Sequence, residues 1–379
     1  MDVHNQHPSH DSKQAEVVVI MVPFPCYSHL NQVLQFSCLI SSYNIPVHYA
    51  CSATHVHQAK LRFNGTNRLS FAQIHFHEFP TPPFLSPPPD PNAPCKFPSH
   101  LQPSFEASLH LRDPMAQLLH KISPIAKRVV VVHDVLMAYV VQDTATIPNT
   151  ETYTFNPTCT FSSFFDGWQM MGKPFQLDEP QELPSLEGCY TSEVLNFFTL
   201  QTDFLKSTSG TIINSCRSIE GTYIDLSKEV QVDKNKKIWA VGPLNTGAVD
   251  DGRNSNHQHK CLEWLDKKAP KSVLYVSFGT TTSLTNQQIK ELAIGLEQSR
   301  QKFIWVLRDA DKGDIFADLQ EGVVPSSTIA EAVKKLMASR EGEEIRKRAE
   351  ELGGATRKAV EEGGVSQMEL DSFIAHITR

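Results

Sequence analysis

The stretch Glu16-Val17-Val18-Val19-Ile20-Met21-Val22, followed at once by Pro23-Phe24-Pro25, decides the fold. A continuous apolar and β-branched run predicts a strand that is buried on both faces, as in a parallel sheet, and the prolines end it. From His29 onward apolar residues recur at helical spacing, and Val47-His48-Tyr49-Ala50 predicts a second strand. The resulting strand-helix-strand unit places the chain in the α/β class.

Similar patterns recur further along the chain. Residues 69–76 and 210–214 predict strands, and residues 128–134 predict a second fully buried strand that ends in an acid, Asp134. After a polar segment at 245–260, which predicts an interdomain linker, a new α/β pattern begins. It contains predicted strands at 272–279 and 303–307, separated by a helix that Thr285 caps.

These patterns divide the chain into three parts. Residues 1–14 are a polar, His-rich tail that we expect to be disordered, residues 15–245 form a Rossmann-like domain, and residues 246–379 form a second one with terminal helices. Fewer than twenty residues separate Arg308 from Ser326, whereas a strand-helix-strand unit needs about 30. The second domain thus has two predicted strands where a doubly wound sheet usually has about five or six, and we expect it to be incomplete.

Composition excludes several classes of function. The 379-residue chain is 40% hydrophobic and 20% charged, with a net charge of −7, which favours a soluble protein without a bulk role on nucleic acid or membrane. The N-terminus lacks the features of a signal peptide. Eight cysteines are scattered without a CxxC pair, which is typical of reduced cytosolic thiols rather than of a zinc or disulfide framework. We expect a cytoplasmic monomer.

Two polar residues follow the buried strands where open α/β sheets place their sites. His29 lies on the loop between the first strand and its helix, and Asp134 ends the strand at 128–134. A carboxylate beside the imidazole would fix its tautomer and leave a base that accepts a proton near pH 7. The alternative is that each residue caps a helix, and spacing alone leaves both interpretations open.

Other candidate sites have less support in the sequence. Three His-x-His pairs, at residues 55/57, 75/77 and 257/259, have no third ligand at metal spacing, and we expect no bound metal. Backbone donors around Gly279, which threonines follow, could hold a phosphate. Neither a GxGxxG nor a GxxxxGK[ST] motif is present, so a dinucleotide or P-loop site has no direct support.

Taken together, several motifs resemble plant family-1 glycosyltransferases, and within them the branch of zeatin O-glucosyl- and O-xylosyltransferases. The resemblance covers nearly the whole chain. The motifs of the family are Val22-Pro23-Phe24-Pro25 with Ser28-His29-Leu30-Asn31-Gln32, Gly210 to Cys216, Trp239 to Leu244, Cys261 to Asp266, Ser272 to Thr280 and Phe303 to Arg308. Those of the branch are Val132 to Ala138 and Met368 to Ile374.

The resemblance implies a GT-B fold of two Rossmann-like domains, the first for the acceptor and the second for the UDP-sugar. It implies that His29 deprotonates an acceptor hydroxyl, that Asp134 orients and balances the imidazolium, and that transfer inverts the sugar without a metal or a cofactor. The implied acceptor is a small hydroxylated plant compound such as the cytokinin zeatin. The implied co-substrate is UDP-glucose or UDP-xylose.

The chain departs from the family at the donor signature. The tryptophan that stacks on uracil, the His-Cys-Gly-Trp-Asn-Ser stretch, the ribose glutamate and the Asp-Gln pair do not occur. An internal deletion that truncates the second domain, from a splice variant or a faulty gene model, is the simplest account. Ser277, Gly279 and Thr280 remain as candidate donor contacts. The alternative to an active transferase is therefore a catalytically impaired form that only binds the acceptor.

Overall fold

The computed structural model describes residues 15–61, 63, 68–87, 90, 95, 97, 99–177, 188–230, 235–244, 260–279, 282, 284–307 and 323–379. The predicted tail at 1–14, nearly all of the predicted linker and the candidate donor contact Thr280 lie outside these residues.

Seven parallel strands form the first sheet, in the order β3-β2-β1-β4-β5-β6-β7. The strands are β1 Ala15–Val22, β2 Val47–Ser52, β3 His75–Phe79, β4 Ala126–Asp134, β5 Thr150–Asn156, β6 Gly210–Ile213 and β7 Lys237–Ala240. The apolar runs that predicted β1 and β4 lie side by side, with Val22 paired to His133. Both strands are almost completely buried, because helices and neighbouring strands cover them on each side.

Helices connect these strands, as the alternating pattern predicts. The α-helices of the described residues are α1 Tyr27–Ser41, α2 Ala53–Leu61, α3 Arg68–Ala72, α4 Gln102–Ser108, α5 Arg112–Ile122, α6 Thr160–Met170, α7 Ser192–Leu205, α8 Arg217–Ser227, α9 Lys260–Asp266, α10 Asn286–Ser299, α11 Ser326–Ala338, α12 Arg340–Val360 and α13 Val365–Ile377. Within the described part of the chain, none of them combines the length and apolar character that crossing a membrane requires.

The strand predicted at 69–76 is wrong. Residues 68–72 form the short helix α3, and β3 begins only at His75, which pairs with His48 of β2. The helical turn places the Phe71 ring 4.3 Å from that of Phe63 and leaves Leu69 82% exposed. Local packing of the aromatic residue therefore overrides the apolar alternation that predicted a strand.

The second sheet contains two parallel strands among the described residues, β8 Val273–Val276 and β9 Lys302–Trp305. Thr285 caps α10 between them. Its hydroxyl accepts a hydrogen bond from the Gln288 backbone N–H, and the Gln288 side-chain oxygen accepts one from the Thr285 backbone N–H. The sequence predicted both strands and the cap. Tyr275, in the middle of β8, is 67% exposed, so this strand is much less covered than the strands of the first sheet.

The last helix packs against the first sheet rather than the second. Four of its residues belong to the core of the first sheet, namely Leu370, Phe373, Ile374 and Ile377. The Ser366 hydroxyl donates to the Gly242 carbonyl, and Arg128 of β4 donates to the Ile377 carbonyl at 2.9 Å. The sequence pattern assigned α13 to the second domain, whereas its side chains complete the core of the first.

Candidate active site

His29 lies in the first turn of α1, at the carboxyl edge of the first sheet. Pro23, Phe24 and Pro25 separate the end of β1 from Cys26, the N-cap residue of α1. Proline has no N–H for the ladder, and this ends the strand and lets the chain turn into the helix. The His29 side chain is 16% exposed, so one part of the ring faces solvent while the rest is covered.

Asp134 stands at the same edge and contacts His29 directly. It is the last residue of β4, and its side chain is completely buried. Its Oδ2 lies 2.7 Å from His29 Nδ1, and its Oδ1 accepts from the Leu136 backbone N–H at 3.0 Å. Both carboxylate oxygens therefore have a partner, which fixes the orientation of the side chain.

This contact determines the tautomer of His29. A carboxylate only accepts hydrogen bonds, so Nδ1 of His29 carries the hydrogen and donates it to Asp134. In the neutral ring Nε2 then keeps its lone pair, and it is the atom that can accept a proton. The negative charge of Asp134 would offset the positive charge that appears on the ring when it does so.

The groups next to this pair are neutral at pH 7. Burial lowers the pKa of His133 to about 4, and its Nδ1–H donates to the Asp134 carbonyl at 2.9 Å. Burial also raises the pKa of the Cys26 thiol, and the negative charge of Asp134 adds to this effect. Neither His133 nor Cys26 therefore adds a charge beside His29 and Asp134.

Aromatic side chains that the sequence analysis did not single out surround the His29 loop. The Phe24 ring meets the His29 ring edge-on at 5.3 Å and lies 4.4 Å from the ring of Phe105. These rings continue into a cluster formed by Phe24, Phe97, Phe105, Tyr190, Phe197 and Phe198. The cluster comes from four separate segments of the chain, and the only sequence signal for it is the high count of 21 phenylalanines.

The candidate donor contacts lie on the loop after β8. Ser277 and Gly279 are exposed, and the Gly279 N–H donates to the Ser277 hydroxyl at 3.4 Å. Gly279 has φ +74°, a backbone conformation that favours glycine. The structure thus brings Ser277 and Gly279 together, as it brings His29 and Asp134 together on the first sheet.

In the described pair at 75/77, both rings stack on His48 of the neighbouring strand, at 4.9 and 5.0 Å, and His77 Nε2 lies 2.7 Å from His48 Nδ1. In the pair at 55/57, His55 bonds to Ser52. The pair at 257/259 lies outside the described residues. Within those residues, no three His, Cys, Asp or Glu side chains group around a position that could hold a metal ion.

Comparison with known proteins identifies the family. Residues 15–246 match the family described as glycosyltransferase, N-terminal domain. The zeatin O-glucosyltransferase of Phaseolus lunatus is 41% identical, with 97% of this chain and 98% of the relative covered, and the zeatin O-xylosyltransferase of Phaseolus vulgaris is 40% identical, with 97% and 99% covered. The chain belongs to the plant family-1 UDP-glycosyltransferases, in the branch of these zeatin O-glucosyl- and O-xylosyltransferases.

Solved structures agree on the fold. Phytolacca americana UGT2, bound to UDP-2-fluoro-glucose and pterostilbene, superposes with a TM-score of 0.68 at 17% identity, covering 96% of this chain and 100% of that one. A Siraitia grosvenorii transferase bound to UDP gives 0.69 at 18% identity, with 96% and 100% covered. The expected GT-B type of α/β fold is thereby confirmed.

The alignment with the Phaseolus lunatus enzyme also includes positions that this chain lacks. It runs over 457 positions but includes only 97% of 379 residues. About 90 of those positions therefore have no counterpart in this chain.

Proposed function

We propose that His29 and Asp134 activate a hydroxyl group of a small acceptor for sugar transfer from a UDP-sugar. The observation that carries this proposal is the contact of 2.7 Å between His29 Nδ1 and a fully buried Asp134 carboxylate at the carboxyl edge of the sheet. Asp134 does cap the short 3-10 helix Val135–Met137, as the second interpretation has it. Cys26 rather than His29 is the N-cap residue of α1, however, and the contact between His29 and Asp134 supports a coupled pair.

In the proposed reaction, His29 Nε2 takes the proton of the acceptor hydroxyl as its oxygen attacks the anomeric carbon of the sugar. The new carbon–oxygen bond forms on the face opposite UDP, the bond from the anomeric carbon to the phosphate oxygen breaks, and UDP leaves with that electron pair. Attack from the opposite face inverts the configuration. The proton ends on the imidazole, where the Asp134 charge stabilises it, and no metal takes part in this scheme.

The proposed acceptor is a planar hydroxylated plant compound such as zeatin. Two relatives at about 40% identity are named for O-transfer to zeatin, one of glucose and one of xylose, and we propose UDP-glucose and UDP-xylose as donors. The aromatic cluster beside His29 supports a flat apolar acceptor, because rings pack favourably against rings. The chain is proposed to act as a cytoplasmic monomer.

A second candidate function is acceptor binding with impaired transfer, and the second sheet favours it for this particular chain. That sheet has two strands among the described residues, and Tyr275 and Phe278 are 67% and 42% exposed at a position where a complete domain would cover them. The missing donor signature and the total of about 90 aligned positions without a counterpart in this chain support the same proposal. We therefore propose that an internal deletion weakens donor binding and leaves the acceptor site in place.

Both candidate functions require a site that binds the acceptor, and a zeatin-binding experiment tests for that site. Titration of zeatin into the folded, full-length chain should give saturable binding, and Asp134→Asn should alter the His29 ring signals in NMR spectra of the complex. A folded sample that binds neither zeatin nor other hydroxylated aromatic compounds would contradict both candidates. Formation of the zeatin O-glycoside from UDP-glucose, abolished by His29→Ala, would then separate the active enzyme from the impaired one.

A further inference from the structure

A buried histidine outside the proposed catalytic pair is connected to the loop that carries His29. His55, in the first turn of α2, is 7% exposed. Its Nδ1 lies 2.6 Å from the Ser52 hydroxyl at the end of β2, and its Nε2 lies 3.4 Å from the hydroxyl of Ser104 on α4. The Ser104 hydroxyl in turn lies 3.5 Å from the Pro25 carbonyl, so the contacts form one chain from β2 to the loop after β1.

The number of available hydrogens determines which group donates in each of these hydrogen bonds. Burial lowers the pKa of His55 to about 4, so at pH 7 its ring is neutral and has one N–H. The Pro25 carbonyl can only accept, so the Ser104 hydroxyl donates its hydrogen to that carbonyl. Because the hydroxyl has no second hydrogen, it must accept from Nε2–H of His55. Nδ1 is left as an acceptor for the Ser52 hydroxyl. The Nε2–H tautomer of His55 is the one that satisfies every link.

The last group in this series of hydrogen bonds, the Pro25 carbonyl, belongs to the loop that leads to His29. Pro25 directly precedes Cys26, the residue that caps α1, and His29 is in the first turn of that helix. Phe105, next to Ser104, packs at 4.4 Å against Phe24, whose ring in turn meets His29. Helix α4 therefore contacts the loop through a polar link to Pro25 and an apolar link to Phe24.

Little free space surrounds His55. Pro25, Ser52, Thr81, Phe84, Ser104, Ala107, Ser108 and Leu111 line the recess around it, which has no room for a water molecule. The Phe84 ring lies parallel to the imidazole at 6.3 Å. Since this recess has no room for a water molecule, a lost hydrogen bond would leave a buried polar group without a nearby partner, and we expect the loop to shift in response.

We propose that His55 is a positioning residue that acts through Ser104 to fix the Pro25 carbonyl and thereby the loop that presents His29 to the acceptor. This inference rests on the proposed function of His29. It assigns to His55 a role in the geometry of the site rather than in proton transfer, because the ring is buried and its two nitrogens are both engaged within the protein.

Histidine-selective ¹⁵N labelling of the full chain gives a test that does not need transfer activity. Long-range ¹H–¹⁵N spectra report the tautomer of each ring, and we expect the Nε2–H form for His55. In the wild type His29 should show a Nδ1–H resonance protected by Asp134. Ser104→Ala should broaden or displace that resonance, because the loop loses its anchor, whereas Ser108→Ala should leave it in place.

Ser108 is a matched control because it lies on the same helix, is similarly buried, and bonds to the Phe105 carbonyl of α4 rather than to the loop. Substitution of His55 supplies a second route should Ser104→Ala fold poorly. His55→Leu should reproduce the change at His29, and His55→Gln, which keeps a donor near the Nε2 position, should restore the wild-type signal in large part.

The outcomes separate the two proposals. A Nδ1–H tautomer for His55, or a His29 signal that Ser104→Ala and His55→Leu leave unchanged, would overturn the positioning role. If the variants change the His29 signal as expected but zeatin leaves that signal undisturbed in the wild type, the positioning role stands and the proposed function fails.

Discussion

Phe373→Ala should strongly destabilise the first sheet and the helices packed on it, although Phe373 belongs to the last helix. The side chain is completely buried, and its ring lies 5.2 Å from Trp239, 5.3 Å from Tyr153 and 6.0 Å from Phe36. Truncation of a phenylalanine in such a core costs about 3–5 kcal/mol in the free energy of unfolding. Because whole domains are stable by only about 5–15 kcal/mol, this is a large fraction of the total.

Urea unfolding followed by tryptophan fluorescence and circular dichroism measures this loss. Trp239 is buried beside Phe373, so its emission reports on this contact. Met368→Ala, on the same helix at a position that is 53% exposed, is the control and should cost less than about 0.5 kcal/mol. Equal effects of the two substitutions, or a loss below about 1 kcal/mol for Phe373→Ala, would refute the assignment of α13 to the first core.

This prediction bears on the proposed function because α13 follows the segment in which we propose a deletion. A deletion that also removed α13 would take Phe373, Leu370 and Ile377 out of the core of the first sheet. The core of the first sheet, which carries the His29 loop, therefore includes side chains from α13.

Three further predictions concern the pair, the buried histidines and the second sheet. If the chain transfers sugar, Asp134→Asn should lower kcat by about 10²–10⁴-fold with little change in the acceptor KM, measured by steady-state kinetics; an unchanged kcat would exclude its role. His48, His55 and His133 have pKa values lowered to about 4 by burial. Between pH 6.5 and 4 the unfolded state therefore binds their protons and the folded state does not. As the pH is lowered across this window, the free energy of unfolding should decrease by about 1.4 kcal/mol per pH unit for each ring, and the contribution of these groups should level off below pH 4. Urea unfolding at several pH values measures this. A flat profile would show that the rings are solvated. Thr285→Ala should cost about 1 kcal/mol of α10 stability, seen as faster amide hydrogen exchange in that helix, and unchanged exchange would contradict the cap.

Two of the strands that the sequence predicted, β1 and β4, are buried, and their own residues indicate that burial. β1 and β4 are continuous β-branched runs, and a run of this kind has no stable alternative to a central parallel strand. β5 was not predicted, because Thr150, Glu151 and Thr152 make its first half polar. Its burial comes from its place between β4 and β6, which only the assembled sheet provides.

Some residues of the candidate site were predictable from the sequence and others were not. His29 and Asp134 were predictable because each follows a recognisable strand, and parallel strands end at a common edge. The aromatic cluster and the chain through His55 were not predictable from spacing, because each joins segments that are distant in sequence. His55 and Ser104, for example, are 49 residues apart in sequence and meet only in the folded chain.

Calorimetric titration of UDP-glucose into the purified, monodisperse chain tests the central claim most directly, namely that the acceptor site is in place and the donor half is incomplete. Zeatin titrated into the same sample shows that the sample has a working acceptor site. We predict saturable binding of zeatin and no detectable binding of UDP-glucose at concentrations up to about 1 mM. Micromolar binding of UDP-glucose would show that the remaining strands still form a donor site, and would contradict the claim.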